Sequence, residues 1–282
     1  MKLTPQEFTQ WPEKRITLLG MSGVGKTHLS TLLRRHNWFH YSGDYRIGTR
    51  YLDEPIIDMI KRQAMQVPFL CDLLRRDWIS IRNNIKVHDL GPVLSYVGKP
   101  GNPQLGGLEL ETFIEHQARY RQAEVDAMLD VPDFIRKGQE IYGYQHFVND
   151  VGGSLCELDD DRVLKTLIDH TLILYIEVTN EAEAQKLIER AQSDPKPLYY
   201  NPDFLQQQLA SYLEQQQLQF AAEMDPDEFT RWIFPRLFHS RIPKYEAIAA
   251  PHGYTVTSEQ VGQVRDEADF IELLESAIAE VC

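Results

Sequence analysis

The sequence has few cysteines and no long apolar run, and both absences limit the kind of protein it can encode. Its 282 residues include three cysteines, Cys71, Cys156 and Cys282, which lie far apart and follow no spacing pattern. Such usage excludes a disulfide-rich scaffold and a cysteine-rich zinc site, and it is typical of a reducing compartment. No apolar run reaches the length of a signal-peptide core or a membrane-spanning helix. We therefore expect a cytoplasmic protein without a membrane segment.

Positive charge is also scarce. The chain carries 29 lysines and arginines against 42 aspartates and glutamates, so that its formal net charge is −13. A surface this acidic repels phosphate backbones, which argues against nucleic-acid binding through non-specific charge. The nine histidines show no H-E-x-x-H motif or other paired metal spacing, and a G-x-S-x-G hydrolase motif is absent.

The alternation of apolar segments predicts an α/β protein with a parallel sheet. Short apolar runs, typical of strands buried on both faces, are separated by longer amphipathic runs typical of helices. The predicted strands are residues 16–19, 40–43 (the end of a strand), 144–150, 171–178 and 254–257. One predicted helix follows a glycine-rich turn and ends near residue 35, and the others are residues 110–129, 159–169, 180–191, 229–250 and 267–281.

Two segments interrupt this alternation. Residues 48–105 contain no clear strand and end in the turn-rich sequence VGKPGNPQLGG. The second segment, about residues 192–231, starts with the turn-rich sequence SDPKPLYYNPD, and we expect it to form a long lid. The chain is thereby divided into a core, residues 1–47 and 106–282, and an inserted helical subdomain, residues 48–105, on the substrate side.

The most specific motif is a glycine-rich loop between a predicted strand and a predicted helix. The sequence GMSGVGKT at residues 20–27 matches the phosphate-binding pattern G-x-x-x-x-G-K-[ST]. Glycines let successive backbone N–H groups point at an anion, and the following helix adds the positive end of its dipole. In this pattern the lysine reaches the β- and γ-phosphates and the last hydroxyl binds Mg²⁺. The predicted nucleotide-binding residues are Gly20, Met21, Ser22, Gly23, Val24, Gly25, Lys26, Thr27 and His28.

In two further segments of the sequence, charged side chains lie next to a predicted strand or on a predicted helix. Asp44 follows the second strand in FHYSGDYRIG, where a carboxylate serves either as a general base or as a helix cap. Arg121 and Glu124 lie three residues apart in YRQAE, so the glutamate can orient a guanidinium that matches a carboxylate bidentately. An ordinary surface ion pair is the alternative for these two residues.

Glycines and further basic residues follow later in the chain. The third strand runs into Asp150, Gly152 and Gly153 in HFVNDVGGSL, where the aspartate could hold a metal-bound water and the glycines allow close approach to the backbone. A tight turn is the simpler alternative. Two more stretches, residues 171–198 and SRIPKY at residues 240–245, carry basic residues near predicted helices.

In chain order, these stretches resemble shikimate kinase and its near relatives among the small P-loop kinases. The likeness extends over residues 15–47, about 109–191 and 232–281. It implies a three-layer α/β P-loop fold and transfer of the ATP γ-phosphoryl group to a hydroxyl of a small anionic metabolite, with Mg²⁺ as the cofactor. Where the family has Asp-x-Asp, this chain has Ser42 and Asp44, so that Asp44 is implied as the acceptor of the hydroxyl proton.

The resemblance also implies a substrate site. Arg121 would hold the substrate carboxylate, and Glu124 would hold the arginine. The turn at Gly152 and Gly153 would line the substrate pocket. Arg241, within a match to the family's Arg-x-Pro-x-Tyr, would be the second arginine on the substrate carboxylate.

The remaining implied residues concern ATP and its metal. Arg190 matches an arginine that packs near the adenine, and Lys196 replaces an arginine that contacts the transferring phosphates. A lysine still supplies positive charge there, but as a point rather than a fork. Mg²⁺ would be placed by Thr27 together with Ser42 or with Asp150, which is implied to compensate for the missing first aspartate.

Other functions stay open at this point. Residues 61–86 contain six basic and two acidic side chains, which suggests an anion-facing wall or a helix with a solvated charged face. The large insertions and the two replaced family residues favour, as an alternative, a P-loop ATPase or nucleotide switch acting with a protein partner. A kinase-fold binding protein without turnover is a third interpretation.

Overall fold

A single all-parallel sheet lies at the centre of the structure, a computed structural model that describes residues 2–281. Its strands are β1 (Arg15–Leu19), β2 (Trp38–Ser42), β3 (His146–Asp150), β4 (Leu172–Glu177) and β5 (Gly253–Thr257). They are hydrogen-bonded in the order β2-β3-β1-β4-β5. All five predicted strands are confirmed, and their observed ends differ from the predicted ones by two residues at most.

Helices flank this sheet and fill the connections between its strands. The helices in the first half are α1 (Pro5–Gln10), α2 (Lys26–Leu33), α3 (Gly43–Arg46), α4 (Asp53–Ala64), α5 (Pro68–Arg75), α6 (Gly91–Val97), α7 (Leu110–Leu129) and α8 (Val131–Glu140). Those in the second half are α9 (Asp161–His170), α10 (Glu181–Ser193), α11 (Pro202–Gln216), α12 (Pro226–His252), α13 (Ser258–Gly262) and α14 (Glu267–Val281). The predicted α/β fold with a parallel sheet between helices is therefore confirmed.

The strand register brings the candidate residues to one edge of the sheet. At the carboxyl end of β3, Asp150 is paired with Leu18 of β1 on one side and with Ser42 of β2 on the other. The loops that follow these three strands start from the same carboxyl edge, where open parallel sheets bind their ligands. Residues 20–27, Asp44 and the turn at residues 151–154 are thereby collected from three distant parts of the chain.

The segment of residues 48–105 is helical, as expected, but it does not have a core of its own. A π-helical turn, Ile47–Tyr51, leads into α4, and α5 and α6 follow. Its buried apolar residues, which include Ile56, Val93 and Tyr96, belong to the same cluster as the strands. The division of the chain into a core and an inserted subdomain stays a prediction.

The predicted lid contains α11 and packs into a second, smaller core. Tyr200, Leu205 and Tyr212 of this segment contact the start of α7 through Phe113 and the start of α12 through Phe229. The lid is therefore held by apolar contacts to two long helices rather than lying free over the sheet.

The helix α12 connects the two cores. Its 27 residues begin at an N-cap, Asp225, whose carboxylate accepts hydrogen bonds from the backbone N–H groups of Asp227 and Glu228. Its first turns pack in the lid core, and its later turns, which carry Arg241 and Tyr245, lie beside the sheet. Among residues 2–281, no helix is both long enough and apolar enough to cross a membrane.

Three polar side chains are fully buried in or directly beside the sheet and are linked by hydrogen bonds. The hydroxyl of Thr17 lies 2.8 Å from that of Thr171 and accepts a hydrogen bond of 3.2 Å from the side-chain amide of Asn149. Buried polar groups without partners are costly, so this network depends on each member.

We predict that Thr17→Val lowers the free energy of unfolding by about 1–3 kcal/mol, because it removes the acceptor of the Asn149 amide without changing the side-chain shape. Urea titration followed by circular dichroism measures the difference. Thr255→Val, at an exposed position of β5, is the matched control and should change stability by less than about 0.5 kcal/mol. An equal effect of the two substitutions would contradict the role given to the network.

Candidate active site

The phosphate loop follows β1 directly and depends on glycine at specific positions. Gly20 has φ 144°, and a Cβ there would lie 2.6 Å from the backbone oxygen of Ile176. Gly23 has φ 95°, and a Cβ there would lie 2.0 Å from Nη2 of Arg190. Both positions combine a left-handed backbone with a close neighbour, so side chains there would distort the loop.

Lys26 lies at the base of this loop. Its side chain is buried, and Nζ donates hydrogen bonds to the backbone oxygens of Gly20 at 2.6 Å and Met21 at 2.9 Å. Burial lowers the pKa of Lys26, whereas the negative charges of Asp150 and Asp44 act in the opposite direction. The lysine therefore lies close to both candidate carboxylates.

The other loop residues differ in what they expose. Ser22, Thr27 and His28 are exposed at the loop and in the first turn of α2. The side chains of Met21 and Val24 are buried in the main core, so that only their backbone N–H groups are suited to an anion. The predicted loop residues thus lie together. Some of their side chains pack in the core, and others face solvent.

Asp44 lies one residue into α3, close to Asp150. Burial raises the pKa of Asp44 to about 6, and the negative charge of Asp150 adds to this, while Lys26 acts in the opposite direction. Its Oδ1 accepts a hydrogen bond of 3.5 Å from the Tyr120 hydroxyl. At neutral pH most of this carboxyl is still ionised, and an ionised carboxylate can accept a proton.

Asp150 and Ser42 occupy one row of the sheet. Asp150 is 7% exposed, and its Oδ2 lies 3.6 Å from Nε2 of His40, a nitrogen without a hydrogen-bond partner in the described chain. The Ser42 hydroxyl accepts a hydrogen bond of 3.3 Å from the backbone N–H of Tyr45 and caps α3. Ser42 therefore has a structural task, and the carboxylate of this row belongs to Asp150.

The turn at Gly152 and Gly153 joins the phosphate loop to Asp44. A Cβ on Gly152 would lie 3.1 Å from Oδ1 of Asp44, and a Cβ on Gly153 would lie 3.2 Å from the backbone nitrogen of Ser22. The Tyr245 hydroxyl donates a 2.5 Å hydrogen bond to the backbone oxygen of Gly153 and holds the turn in place. Close approach of these protein atoms favours glycine at both positions, and the predicted approach of a substrate to this backbone stays a prediction.

The side chain of Glu124 faces this turn and does not face Arg121. It is fully buried, its Oε2 accepts a 2.6 Å hydrogen bond from the Ser154 hydroxyl, and its Oε1 has no hydrogen-bond partner within residues 2–281. Burial, together with the negative charge of Asp44, raises the pKa of Glu124 to about 8, although the Ser154 hydrogen bond acts in the opposite direction. Near neutral pH this side chain is therefore mostly a neutral carboxylic acid.

The expected pairing of Glu124 with Arg121 is wrong. Nη2 of Arg121 donates instead to the backbone oxygens of Leu158 and Asp159, the latter at 3.3 Å. The two side chains, three residues apart on α7, point to different sides because one packs in the core and the other lies at the surface beside α9. The structure does not bring Arg121 into the group around Asp44 and Gly152.

Arg241 does reach that group, held by a glutamate that the sequence analysis did not identify. Its Nε and Nη2 donate to Oε2 of Glu157 at 2.9 and 2.6 Å, and Nη2 also donates to the backbone oxygen of Tyr199 at 2.9 Å. Both charged side chains are buried, and Lys244 lies 3.2 Å from the other oxygen of Glu157. Nη1 of Arg241 faces Gly153, at 3.7 Å from the position of a Cβ there.

A cavity of about 430 Å³ extends from the phosphate loop towards the lid. Ser22, Arg190 and Lys196 line it together with apolar side chains of α10 and α12. Arg190 lies against Gly23 of the loop, and its position near an adenine stays a prediction. The Lys196 side chain is exposed and lies 3.4 Å from Asp194, so it is held only by a weak surface ion pair.

Several residues of this site were missed from the sequence. Ser154 and Glu157 follow the predicted glycine turn within a few residues, and Tyr120 directly precedes Arg121. Closeness to a motif in the sequence was the one indication that these residues belong to the site. Nothing in the spacing indicated that Tyr245 would bind the Gly153 backbone or that His40 would lie against Asp150, because both contacts join separate elements.

The strand, glycine-rich loop and helix, set in an all-parallel five-stranded sheet, define a P-loop kinase or NTPase fold. Among solved structures, the chain is similar to a shikimate kinase from Bacteroides thetaiotaomicron, with 14% sequence identity, a TM-score of 0.39, and coverage of 95% of this chain and 96% of that chain. No family model matches the sequence. A search of curated proteins also finds no match.

The raised pKa of Glu124 predicts a pH dependence of stability. Its ordinary pKa is 4.5 and its folded value is about 8, so the folded protein binds a proton between these pH values that the unfolded chain does not bind. This contribution to stability is complete below about pH 4.5 and is lost as pH rises towards 8. We predict that Glu124→Gln, whose side chain resembles the protonated acid, removes this loss of folding stability with rising pH.

Denaturant titrations between pH 5 and pH 8 test the prediction. Relative to wild type, Glu124→Gln should gain stability as pH rises, by on the order of a few kcal/mol over this range. Glu111→Gln, at an exposed position on the same helix, should leave the pH profile unchanged. Parallel profiles for wild type and Glu124→Gln would show that the buried acid does not titrate in this range.

Proposed function

We propose that this protein is an ATP-dependent phosphotransferase, acting in the cytoplasm, that moves the γ-phosphoryl group to a hydroxyl of a small anionic metabolite. The observation that supports this most is the position of the Gly152–Gly153 turn, which approaches the phosphate loop on one side and Asp44 on the other. A phosphate on the loop and an acceptor hydroxyl at Asp44 would then be neighbours, as direct transfer requires.

In this proposal, the phosphate loop and Lys26 bind the ATP phosphates through backbone N–H groups and one ammonium group. Arg190 and the cavity beside Ser22 accommodate the remainder of the nucleotide. Lys196 approaches the phosphates when the lid moves inward and supplies positive charge to the transferring group. Its exposed position and weak ion pair leave it free to make that movement.

The acceptor is held on the opposite side of the turn. Asp44 orients the hydroxyl and accepts its proton, consistent with a carboxyl that is mostly ionised at neutral pH. Arg241 presents Nη1 towards Gly153 and binds the anionic group of the acceptor. The buried pair with Glu157 fixes the plane of the guanidinium, so that this nitrogen is oriented before the acceptor arrives.

Thr27, Ser42 and Asp150 are the residues proposed to hold Mg²⁺, which supplies charge neutralisation at the phosphates when it is bound with ATP. Residues 2–281 contain no cluster of three or more histidine, cysteine or acidic side chains suited to a metal. This fits Mg²⁺ in a nucleotide site, because the ion takes one or two protein carboxylates and completes its shell with phosphate oxygens and water. Asp150 supplies a buried carboxylate for that purpose.

ADP release from ATP and Mg²⁺, measured with and without shikimate and a panel of small hydroxy acids, tests the proposed reaction. We predict that one acceptor stimulates release and that Lys26→Ala abolishes the stimulated rate, because phosphate binding is lost. Asp44→Asn should lower kcat with that acceptor at least about 100-fold and change ATP affinity by less than about threefold. Asp58→Asn, at the surface of α4, is the matched control.

A second candidate, a nucleotide switch that acts with a protein partner, is favoured by the exposed segment around α5. Phe69 and Trp78 are 71% and 66% exposed, and Val67, Met65 and Ile79, which are close in sequence, are partly exposed. Large apolar side chains in such a group are typical of protein interaction surfaces. Acceptor-independent ADP release that Lys26→Ala abolishes would support this function, whereas binding of ATP without any release would indicate a binding protein.

A further inference from the structure

The helix α5 has an apolar face that neither of the two apolar cores covers. Its apolar side chains are those of Phe69, Leu70, Leu73 and Leu74, and at about 100° per residue they lie within an arc of about 140°. No residue of α5 is buried. Within residues 2–281, none of these four side chains belongs to either core or packs against it. The helix is therefore amphipathic, and its apolar face is left without a buried contact.

The turn after α5 extends this face. Asp77 has a left-handed backbone with φ 53°, and the backbone N–H of Trp78 donates a 3.0 Å hydrogen bond to the backbone oxygen of Leu73. This is the Schellman pattern that ends many helices, and it returns Trp78 to the side of the last helical turn. The guanidinium of Arg76 lies 5.1 Å from the centroid of the Trp78 ring. Trp78 is thus fixed beside α5 although it is 66% exposed, and we call residues 65–79 the α5 patch.

Positive charge surrounds the α5 patch. The six basic side chains of residues 61–86 are all exposed, and against the two acidic ones they give this segment a net charge of +4, although the whole chain has −13. One of the two acids, Asp72, is paired with Arg76 at 2.9 Å. Because charges in physiological salt are screened beyond about 8 Å, the local positive charge decides which surfaces can approach the patch. An anionic surface is the complementary one.

We propose that the α5 patch docks on the surface of an anionic lipid bilayer. Phe69, Trp78 and the leucines of α5 enter the boundary between headgroups and acyl chains, and the lysines and arginines around them contact lipid phosphates. Aromatic, aliphatic and basic side chains on one short amphipathic helix and its flanks are typical of segments that lie in the plane of a membrane interface. The helix lies on the bilayer and does not cross it.

Other occupants fit the charge of the patch less well. A two-fold contact between two copies of this chain through α5 would place the basic side chains of one patch against those of the other. A protein groove that received α5 would have to cover the exposed basic side chains together with the apolar ones, whereas the centres of protein interfaces are poor in charged residues. A bilayer offers phosphates to all of them at once. The proposal does not depend on the proposed reaction, which uses no residue of the patch.

Co-sedimentation with lipid vesicles tests the docking. The wild type should bind vesicles of phosphatidylcholine with about 30% phosphatidylglycerol at least about tenfold more tightly than vesicles of phosphatidylcholine alone. Raising NaCl from about 0.1 M to about 0.5 M should weaken this binding at least about fivefold, because salt screens the attraction between basic side chains and phosphates. Lys26→Ala should bind the vesicles like the wild type, so that the result is independent of phosphoryl transfer.

Two pairs of variants separate the apolar contribution from the charge. Phe69→Ala should weaken binding to the anionic vesicles at least about fivefold, because less apolar surface enters the bilayer. Phe220→Ala, at a lid residue that is 64% exposed, is the matched control and should bind like the wild type.

Arg75→Gln combined with Arg76→Gln should also weaken binding at least about fivefold, because two contacts to phosphates are lost. Arg162→Gln combined with Arg265→Gln, at exposed positions outside the segment, is the matched control and should not weaken it. Circular dichroism checks that each variant is folded.

Tryptophan fluorescence locates the contact. Anionic vesicles should shift the emission of the wild type to shorter wavelength, because Trp78 leaves water. Trp78→Leu should remove this shift and keep most of the binding, since leucine is also apolar.

The proposal is overturned if the wild type does not sediment with the anionic vesicles, which would leave the protein partner of the second candidate function as the occupant of the patch. It is also overturned if neutral and anionic vesicles bind equally, if either substituted patch loses no more affinity than its control, or if the emission shift persists in Trp78→Leu. Binding that depends on the arginines but not on Phe69 would show adsorption by charge alone and would count against it as well.

Discussion

The close approach of the Gly152–Gly153 turn to the phosphate loop is the contact on which the candidate site depends. A Cβ would lie 3.1 Å from Oδ1 of Asp44 at Gly152 and 3.2 Å from the backbone nitrogen of Ser22 at Gly153, so the absence of side chains lets the turn lie there without displacing these neighbours. Tyr245 of α12 holds the Gly153 oxygen, and the register of β3 between β1 and β2 sets where the turn begins. Distances between the proposed donor and acceptor sites follow from these contacts.

Several acidic side chains lie around this turn, and they differ in the groups that stabilise their negative charge. Glu157 forms a buried pair with Arg241, whereas Glu124 accepts one hydroxyl hydrogen bond and forms no ion pair with any residue of 2–281. An uncompensated buried carboxylate favours its neutral form, which is why the pKa of Glu124 is raised to about 8. Asp44 lies near both Lys26 and Asp150, and its pKa is raised to about 6, which is less than the rise for Glu124. The fold thereby places a mostly neutral carboxyl group, Glu124, and a mostly ionised one, Asp44, beside the same turn.

The elements and the phosphate loop could be predicted because their signals are local. Apolar runs indicated the strands, and the spacing of glycine, lysine and threonine indicated the loop. The pairing of Glu124 with Arg121 could not be predicted reliably, since spacing on a helix shows which residues are neighbours but not which side packs in the core. Glu124 packs inward and Arg121 lies beside a cavity, and the guanidinium at the glycine turn has its glutamate partner, Glu157, 84 residues away in the chain.

By itself, the sequence determined the strand–loop–helix unit, the order of the strands along the chain and the candidate carboxylates at their ends, because each depends on residues close together in the chain. Only the tertiary structure decided which charged and polar side chains meet. The pairs Arg241–Glu157 and His40–Asp150, the unpaired Arg121 and the isolated Glu124 result from how α7 and α12 pack against the sheet. Electrostatic energy depends on distances in space and on burial, and neither is contained in the separation of residues along the chain.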